Sequence, residues 1–435
     1  MVTRREFVQY SAVAAAGAFY RGELPDAPAA EQQAGPLPPS IAALTSMRER
    51  ATPITLEERR ARIEKARRLM RDHTLNGMLL TGGTSLDYFT GIRWGGSERL
   101  LALVVPVEGR AFLVCPAFEE ERAREQVQDS PLAGDVDFLT WQEDESPYAL
   151  VADGLKARGG ATGRVGIEET VRHVFSDGVA QAGPSLSLVS ATPVTAGCRG
   201  VKTAHESELM RLASEVTLKA YEAAYRALTE GMTQDRFADL VSLAHRRLGF
   251  SGGAGVQVGP YSALPHGSVT PQVIREGTIL LIDGGCAVEG YRSDISRTFV
   301  LGKATDKMKQ VFAIEQRAQQ AALAAARPGV ECQAVDAAAR KVITDAGYGP
   351  DYRYFTHRVG HGIGMDGHEW PYLVRGNTQK LEPGMTFSDE PGIYLPGEFG
   401  VRLEDDMVIT ENGAELLTPT SPSLEAPFGN ASGTR

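Results

Sequence analysis

Four acidic residues stand in two mirrored settings. In ILLIDGGCAVEGYRSDISRTFV, Asp283 ends one apolar run and Asp294 sits inside the next, with a glycine turn between them. In FSDEPGIYLPGEFGVRLEDDMVI, Glu390 and Glu404 stand on either side of a second turn containing glycine and proline. Aspartate is a poor strand residue, and like charges on paired strands repel one another unless a cation lies between them. A metal ion supplies that cation, and hard oxygen donors suit Mn(II), Co(II) or Zn(II). Taken singly, each acid would pass for an exposed strand end; the doubled arrangement is what points to one shared cleft.

The stretch HRVGHGIGMDGHEWP, residues 357–371, adds three imidazoles set among glycines. His357 and His361 are four apart, but the glycines argue against a helix, and no glutamate occupies the position that a helical HExxH zinc site requires. A glycine-rich loop instead lets backbone approach closely while imidazoles point inward. His361 is the expected nitrogen ligand, an assignment that rests on the acids around it.

These residues need elements to hold them. Leu209, Leu212, Val216, Tyr221, Tyr225 and Leu228 recur at helical spacing, which predicts a helix from about Glu206 until Gly231. GMTQDRFADLVSLAHRRLGF from Gly231 and GVECQAVDAAARKVITDAGY from Gly329 then match in length, in glycines at both ends, and in Phe237 opposite Val335. Each is preceded by another helical stretch and followed by strands, so the region 203–420 reads as a duplicated helix-plus-strand α+β domain. Upstream, a helical pattern from Thr55 to about Asp72 precedes the strand-length apolar runs GMLLT, LLALVVP and AFLVCP. That is an α/β domain over 45–195, without a GxGxxG or phosphate-loop signature.

Two domains also suit the length, since 435 residues exceed one ordinary core. A formal charge of −10 offers no basic patch and gives no argument for nucleic acid. No apolar run is long enough for a membrane span. Arg4 and Arg5 ahead of a short apolar stretch resemble a twin-arginine export signal over residues 1–30, followed by a linker over 31–44. That implies a periplasmic protein. Residues 421–435 read as a tail. Cys115, Cys198, Cys286 and Cys332 are widely spaced and indicate neither a zinc knuckle nor a disulfide framework.

With these motifs in place, the chain resembles the pita-bread metallopeptidases, in the proline-peptidase branch that includes prolidase and aminopeptidase P. The carriers are DGGCAVEGYRSDISR, GHGIGMDGHEWP, EPGIY and GVRLED; SALPHG around His266 and HEWP around His368 are most similar to archaeal-type prolidases. The resemblance extends to a creatinase/prolidase-like N-terminal domain and an internal pseudo-twofold repeat. It implies that Asp283, Asp294, His361, Glu390 and Glu404 bind two divalent ions per subunit, manganese first and cobalt or zinc as alternatives, with Asp294 and Glu404 bridging. It further implies Glu390 as the proton-accepting base, with His368, His266 and His357 on the scissile carbonyl. Arg402 would orient substrate or support the ligands. The implied activity is Xaa-Pro dipeptide hydrolysis on small peptides, in a homodimer. Aminopeptidase action on longer peptides is the alternative, and behind it a non-catalytic, lyase or creatinase-like role. A dipeptidase also needs a cation for the product-side carboxylate, for which Arg402, Arg93 and Arg99 are the candidates.

Overall fold

In the computed structural model, residues 36–160 and 162–429 are described. The export signal expected over residues 1–30 lies outside them, as do the start of the linker and the end of the tail.

The first domain opens with the helix Leu56–Asp72, where Thr55 and Glu58 cap each other's backbone N–H groups. This reciprocal pair satisfies donors that the first helical turn leaves without partners. Behind the helix lies a six-stranded mixed sheet in the order Val136–Trp141, Ala111–Pro116, Ala102–Pro106, Gly77–Thr81, Gly163–Ile167, Leu186–Ser190. The three apolar runs of the sequence are its middle strands. They are buried on both faces, which is why they read as continuous apolar stretches with no polar alternation.

The second domain begins at the helix Ala204–Tyr225, capped by the same device at Thr203 and Glu206. This helix ends before Gly231, where the apolar spacing had placed its stop. Residues 226–230 are turn and irregular backbone, yet Leu228 remains buried, so the apolar pattern outlasts the helix because this segment packs on the same core. The duplication is visible in backbone geometry. Gly231 and Gly329 have φ of 86° and 80°, and Gly249 and Gly347 have 92° and 91°, bracketing the helices Gln234–Arg247 and Cys332–Asp345. Only glycine takes such angles without steric cost.

Each half contributes a sheet. The first holds Gly252–Val258, Ile279–Val288 and Ile295–Val300, all antiparallel. The second runs Glu369–Leu373, Gly360–Gly362, Thr386–Asp389, Asp405–Thr410, Gly413–Leu416. The halves are joined where Thr298 Oγ1 donates to the Arg402 carbonyl at 2.7 Å and accepts from the Arg402 N–H at 3.1 Å.

The segments read as linker and tail are docked where they are described. Pro39–Ala42 forms a short helix with Ile41 fully buried, and Ser40 Oγ donates to the Ala223 carbonyl at 2.7 Å. At the other end Leu424 is buried, and Phe428 packs against Tyr225 with ring centroids 5.6 Å apart. A few apolar side chains in a short segment are enough to seat it on a neighbouring helix. All four cysteines are buried and free. Among the described residues no helix is long and apolar enough to cross a membrane.

Candidate metal centre

The four acids arrive from a strand interior and from breaks beside strands, in both halves. Asp283 lies in Ile279–Val288 and Glu390 directly follows Thr386–Asp389. Glu404 stands in the gap between Phe399–Arg402 and Asp405–Thr410. Asp294 is not inside a strand, as its apolar neighbours suggested. It sits in the break between Tyr291–Arg292 and Ile295–Val300, where its N–H donates to Asp406 Oδ2 at 3.0 Å. Leaving the ladder frees its carboxylate to turn towards its counterparts.

His361 is the centre of the short strand Gly360–Gly362. The flanking glycines are there for contact, since neither has a positive φ. A methyl carbon at Gly360 would lie 2.1 Å from the Ser388 carbonyl oxygen, and one at Gly362 would lie 2.7 Å from that of Glu369. A side chain at Gly360 would push His361 away from the strand that leads to Glu390, and one at Gly362 would push it away from the strand Glu369–Leu373. Gly360 and Gly362 in HRVGHGIGMDGHEWP therefore serve close backbone approach.

The donors converge. Within each of three groups, Asp283–Asp294–Glu404, His361–Glu390–Glu404 and Asp294–His361–His368, the ligand atoms lie within 4.8 Å of one another. His361 Nδ1 donates to the Gly362 carbonyl at 3.1 Å. Its Nε2 then faces the acids, 3.2 Å from Glu390 Oε1 and 3.9 Å from Asp294 Oδ2. Ser296 Oγ lies 2.9 Å from Asp283 Oδ1 and 2.6 Å from Glu404 Oε2, tying the two halves together.

Negative charge exceeds what the protein itself neutralises. Burial and the Asp283 charge push the Asp294 carboxyl up to about 7. Burial and the charges of Asp294 and Glu390 push Glu404 well above the usual carboxylate range. Burial also acts to raise Glu390, but the hydrogen bond and charge of His361 outweigh it and hold that group down at about 2. Next to the ligands, both Asp389 carboxylate oxygens and Asp406 Oδ1 are buried without a hydrogen-bond partner. Four carboxylates and one imidazole, short of positive charge and built from hard donors, fit divalent metal ions.

The remaining site residues divide. His368 stacks on His361 with ring centroids 3.8 Å apart, and its Nδ1 is 3.4 Å from Arg358 Nη2. With Arg358 as donor, the His368 ring proton sits on Nε2. Burial and the charge of His361 push this histidine down to about 4, so it is neutral near pH 7. His266 is exposed on its loop, close enough for its charge to be felt by His357 and His368.

His357 is differently placed from the expectation. Its Nδ1 donates to the Arg358 carbonyl at 2.8 Å and its Nε2 accepts from Tyr394 Oη at 2.7 Å, leaving no free ring nitrogen for a scissile carbonyl. Arg402 is likewise fully engaged. It meets Asp283 Oδ2 at 2.6 Å, Ser296 Oγ at 2.8 Å, the Pro265 carbonyl at 3.0 Å and Tyr394 Oη at 3.2 Å. Each of its three guanidinium nitrogens has a partner in the site, and the side chain is buried against Asp283. Arg93 is paired with Asp87, and Arg99 with Glu98 and Glu143, all within the first domain.

Sequence reading missed Ser296, Tyr394, Asp406 and Arg358. Two of them carried a signal: Ser296 is two residues after Asp294 and Asp406 two after Glu404, near enough along the chain to reach the same cluster.

Comparison with known proteins agrees with this architecture. Residues 208–411 match metallopeptidase family M24, and residues 62–201 match the creatinase/prolidase N-terminal domain. The chain is 35% identical to an Xaa-Pro dipeptidase of Lactobacillus delbrueckii subsp. lactis, covering 83% of this chain and 98% of that one. It is 31% identical to the Xaa-Pro dipeptidase of Pyrococcus furiosus, over 83% and 99% of the two chains. Among solved structures, dipeptidase PepE from Mycobacterium ulcerans superposes with a TM-score of 0.80 at 34% identity, covering 86% of this chain and all of that one.

Proposed function

This chain belongs to metallopeptidase family M24, and from that premise we propose that it hydrolyses the peptide bond preceding proline in Xaa-Pro dipeptides. The observation that carries the reading is the convergence of Asp283, Asp294, His361, Glu390 and Glu404 from two mirrored halves. Those five side chains would hold two divalent ions, manganese by preference, which polarise the scissile carbonyl and activate a water.

The protein's own groups do the rest. Glu390 accepts the proton of the attacking water on a carboxylate oxygen. His368 donates its Nε2–H to the carbonyl oxygen as negative charge develops there, and its neutral state at pH 7 still leaves that donor in place. Exposed His266 stands at the rim as a second donor to the same oxygen. His357, Tyr394 and Arg402 form a fixed relay behind the ligands: Arg402 donates to Tyr394 Oη, which donates to His357. By holding Asp283 as well, Arg402 fixes one ligand's orientation.

Proline explains why a dedicated enzyme is needed. The bond before it is a tertiary amide with no N–H and a rigid ring, so peptidases that rely on a backbone donor there lose their grip. That relatives are named Xaa-Pro dipeptidase supports the dipeptide reading over one on longer peptides. The test is proline release from an Xaa-Pro dipeptide and from an Xaa-Pro-Yaa tripeptide, measured side by side with manganese, cobalt and zinc. The dipeptide is expected to be cleaved faster; preference for the tripeptide assigns aminopeptidase action instead. Export to the periplasm is proposed from Arg4 and Arg5. Replacing both with lysine should leave uncleaved precursor in the cytoplasm, and unchanged periplasmic yield refutes it.

A further inference from the structure

His368 is anchored less directly than the ligand beside it. His361 lies within a strand, whereas His368 stands in a bend at residues 364–368, outside the β ladder. Its side chain rests on His361 and meets Arg358, so its position depends on how the bend is held. One side of the bend is open, since nothing lies within 4 Å of a methyl carbon built at Gly367. Two acids carry the anchoring. Asp366 stands two residues before His368 and Glu369 one after it, and Glu369 Oε1 accepts the Asp366 N–H at 3.0 Å, closing the bend around the histidine.

Both acids are gripped from the first domain. Arg199 ends the helix Thr192–Arg199 of that domain, and its Nη2 lies 2.5 Å from Asp366 Oδ2 and 2.5 Å from Glu369 Oε1. Thr84 Oγ1 donates to the other Asp366 oxygen at 2.6 Å. Arg199 Nη1 donates to Ser85 Oγ at 3.3 Å, and Ser85 Oγ donates to Glu168 Oε1 at 2.9 Å, which ties the guanidinium back into its own domain. Lys202, in the connection between the domains, completes the set at 3.1 Å from Glu369 Oε2. Two cations thus balance two carboxylates, with Lys202 and Glu369 buried and Arg199 nearly so. Burial acts to raise the Glu369 carboxyl, but the charges of Lys202 and Arg199 outweigh it and hold that group down at about 2. Removing one partner of a buried pair strands the other charge, so the network resists rearrangement.

We propose that Arg199 is a positioning residue for catalysis: through Asp366 and Glu369 it sets where His368 stands, which makes the first domain part of the catalytic apparatus. This rests on the Xaa-Pro reading above, with His368 as a donor to the scissile carbonyl. A contact that only joined two domains could grip the second anywhere on its surface; this one grips the two residues that bracket His368. The two roles also separate energetically. Cutting a mere domain joint weakens the protein alike whether or not His368 is present, whereas cutting a support for His368 loses its effect on rate once that histidine is gone.

The experiment is a double-mutant cycle on the full, metal-loaded chain. For wild type, Arg199→Gln, His368→Ala and the pair together, kcat and KM on an Xaa-Pro dipeptide are measured with metal content and thermal unfolding. Arg199→Gln should lower kcat roughly 10- to 100-fold, because misplacing a reacting group by about 1 Å costs on the order of 10²-fold. KM and metal content should stay near wild type, since an oxyanion donor acts in the transition state, and Arg199→Lys should restore part of kcat. In the His368→Ala background the same Arg199→Gln change should cost no more than about two-fold, the usual additivity error of such cycles. Thr84→Val removes only the hydrogen bond to Asp366; it should show a smaller loss with the same dependence on His368, and it decides the matter where Arg199→Gln does not fold. Wild-type kcat in Arg199→Gln, or an equal fold-loss with and without His368, overturns the proposal while leaving Xaa-Pro hydrolysis intact. If metal-loaded wild type does not cleave the dipeptide, the Xaa-Pro reading itself fails, and the inference with it.

Discussion

Adding one carbon to the histidine loop should disable the enzyme at one glycine and leave it intact at another seven residues away. At Gly360 the new methyl would lie 2.1 Å from the Ser388 carbonyl oxygen, an atom of the neighbouring strand that cannot rotate aside. The two strands must separate by about 1 Å to reach ordinary contact. Overpacking of this kind costs about 1–3 kcal/mol of stability. His361 is the next residue, and its Nε2 stands only 3.2 Å from Glu390 Oε1, so the shift passes directly into the ligand set. A misplacement of about 1 Å at reacting groups costs on the order of 10²-fold in rate. Gly367→Ala is the control: nothing lies within 4 Å of its new methyl, and its stability should change by no more than about 0.5 kcal/mol. Thermal unfolding, metal stoichiometry and kcat/KM on an Xaa-Pro dipeptide are measured for both variants. If Gly360→Ala matches wild type in metal content and rate, or if Gly367→Ala is equally damaged, close strand approach is not what the glycines provide.

Asp294→Ala and Glu404→Ala should each lose bound metal as well as turnover, read by elemental analysis alongside rate; retention of two ions per chain would remove them from the ligand set. His368→Ala should keep its metal while the rate falls on the order of 10²- to 10³-fold, the effect of removing an oxyanion donor, and metal loss equal to that of His361→Ala would reverse the two roles. His245, fully buried beside Tyr221, is pushed by burial down to about 4. The unfolded chain therefore takes up this proton first, and His245 should cost the fold about 3 kcal/mol as pH falls from about 6.5 to 4. Above that window the group is neutral in both states and contributes no pH dependence. His245→Gln should remove that slope in urea unfolding at successive pH values; an unaltered slope would mean another group is responsible.

The convergence of the candidate ligands was legible because each motif is local. Asp283 and Asp294 share one turn, Glu390 and Glu404 another, and the mirrored halves show that both turns face one cleft. The roles of His357 and Arg402 were not legible in the same way. What decides them is Tyr394, which meets His357 across 37 positions of sequence, and Asp283, brought to Arg402 from the opposite half. An imidazole satisfied on both nitrogens looks identical in sequence to one left free for substrate. The end of the helix at Tyr225 was obscured for a related reason, since burial of Leu228 in the following segment extends the apolar period past the last helical residue. The docked segments around Ile41 and Leu424 were hidden by composition. Proline- and alanine-rich stretches read as linkers unless the face that receives their few apolar side chains is known.

The most direct test of the central claim is proline release from an Xaa-Pro dipeptide by manganese-loaded protein, set against hydrolysis of the matching Xaa-Ala dipeptide. The account predicts rapid cleavage of the proline substrate, little of the alanine one, and loss of activity when a chelator strips the metal. Equal cleavage of both dipeptides, or cleavage that persists in metal-free protein, would contradict it.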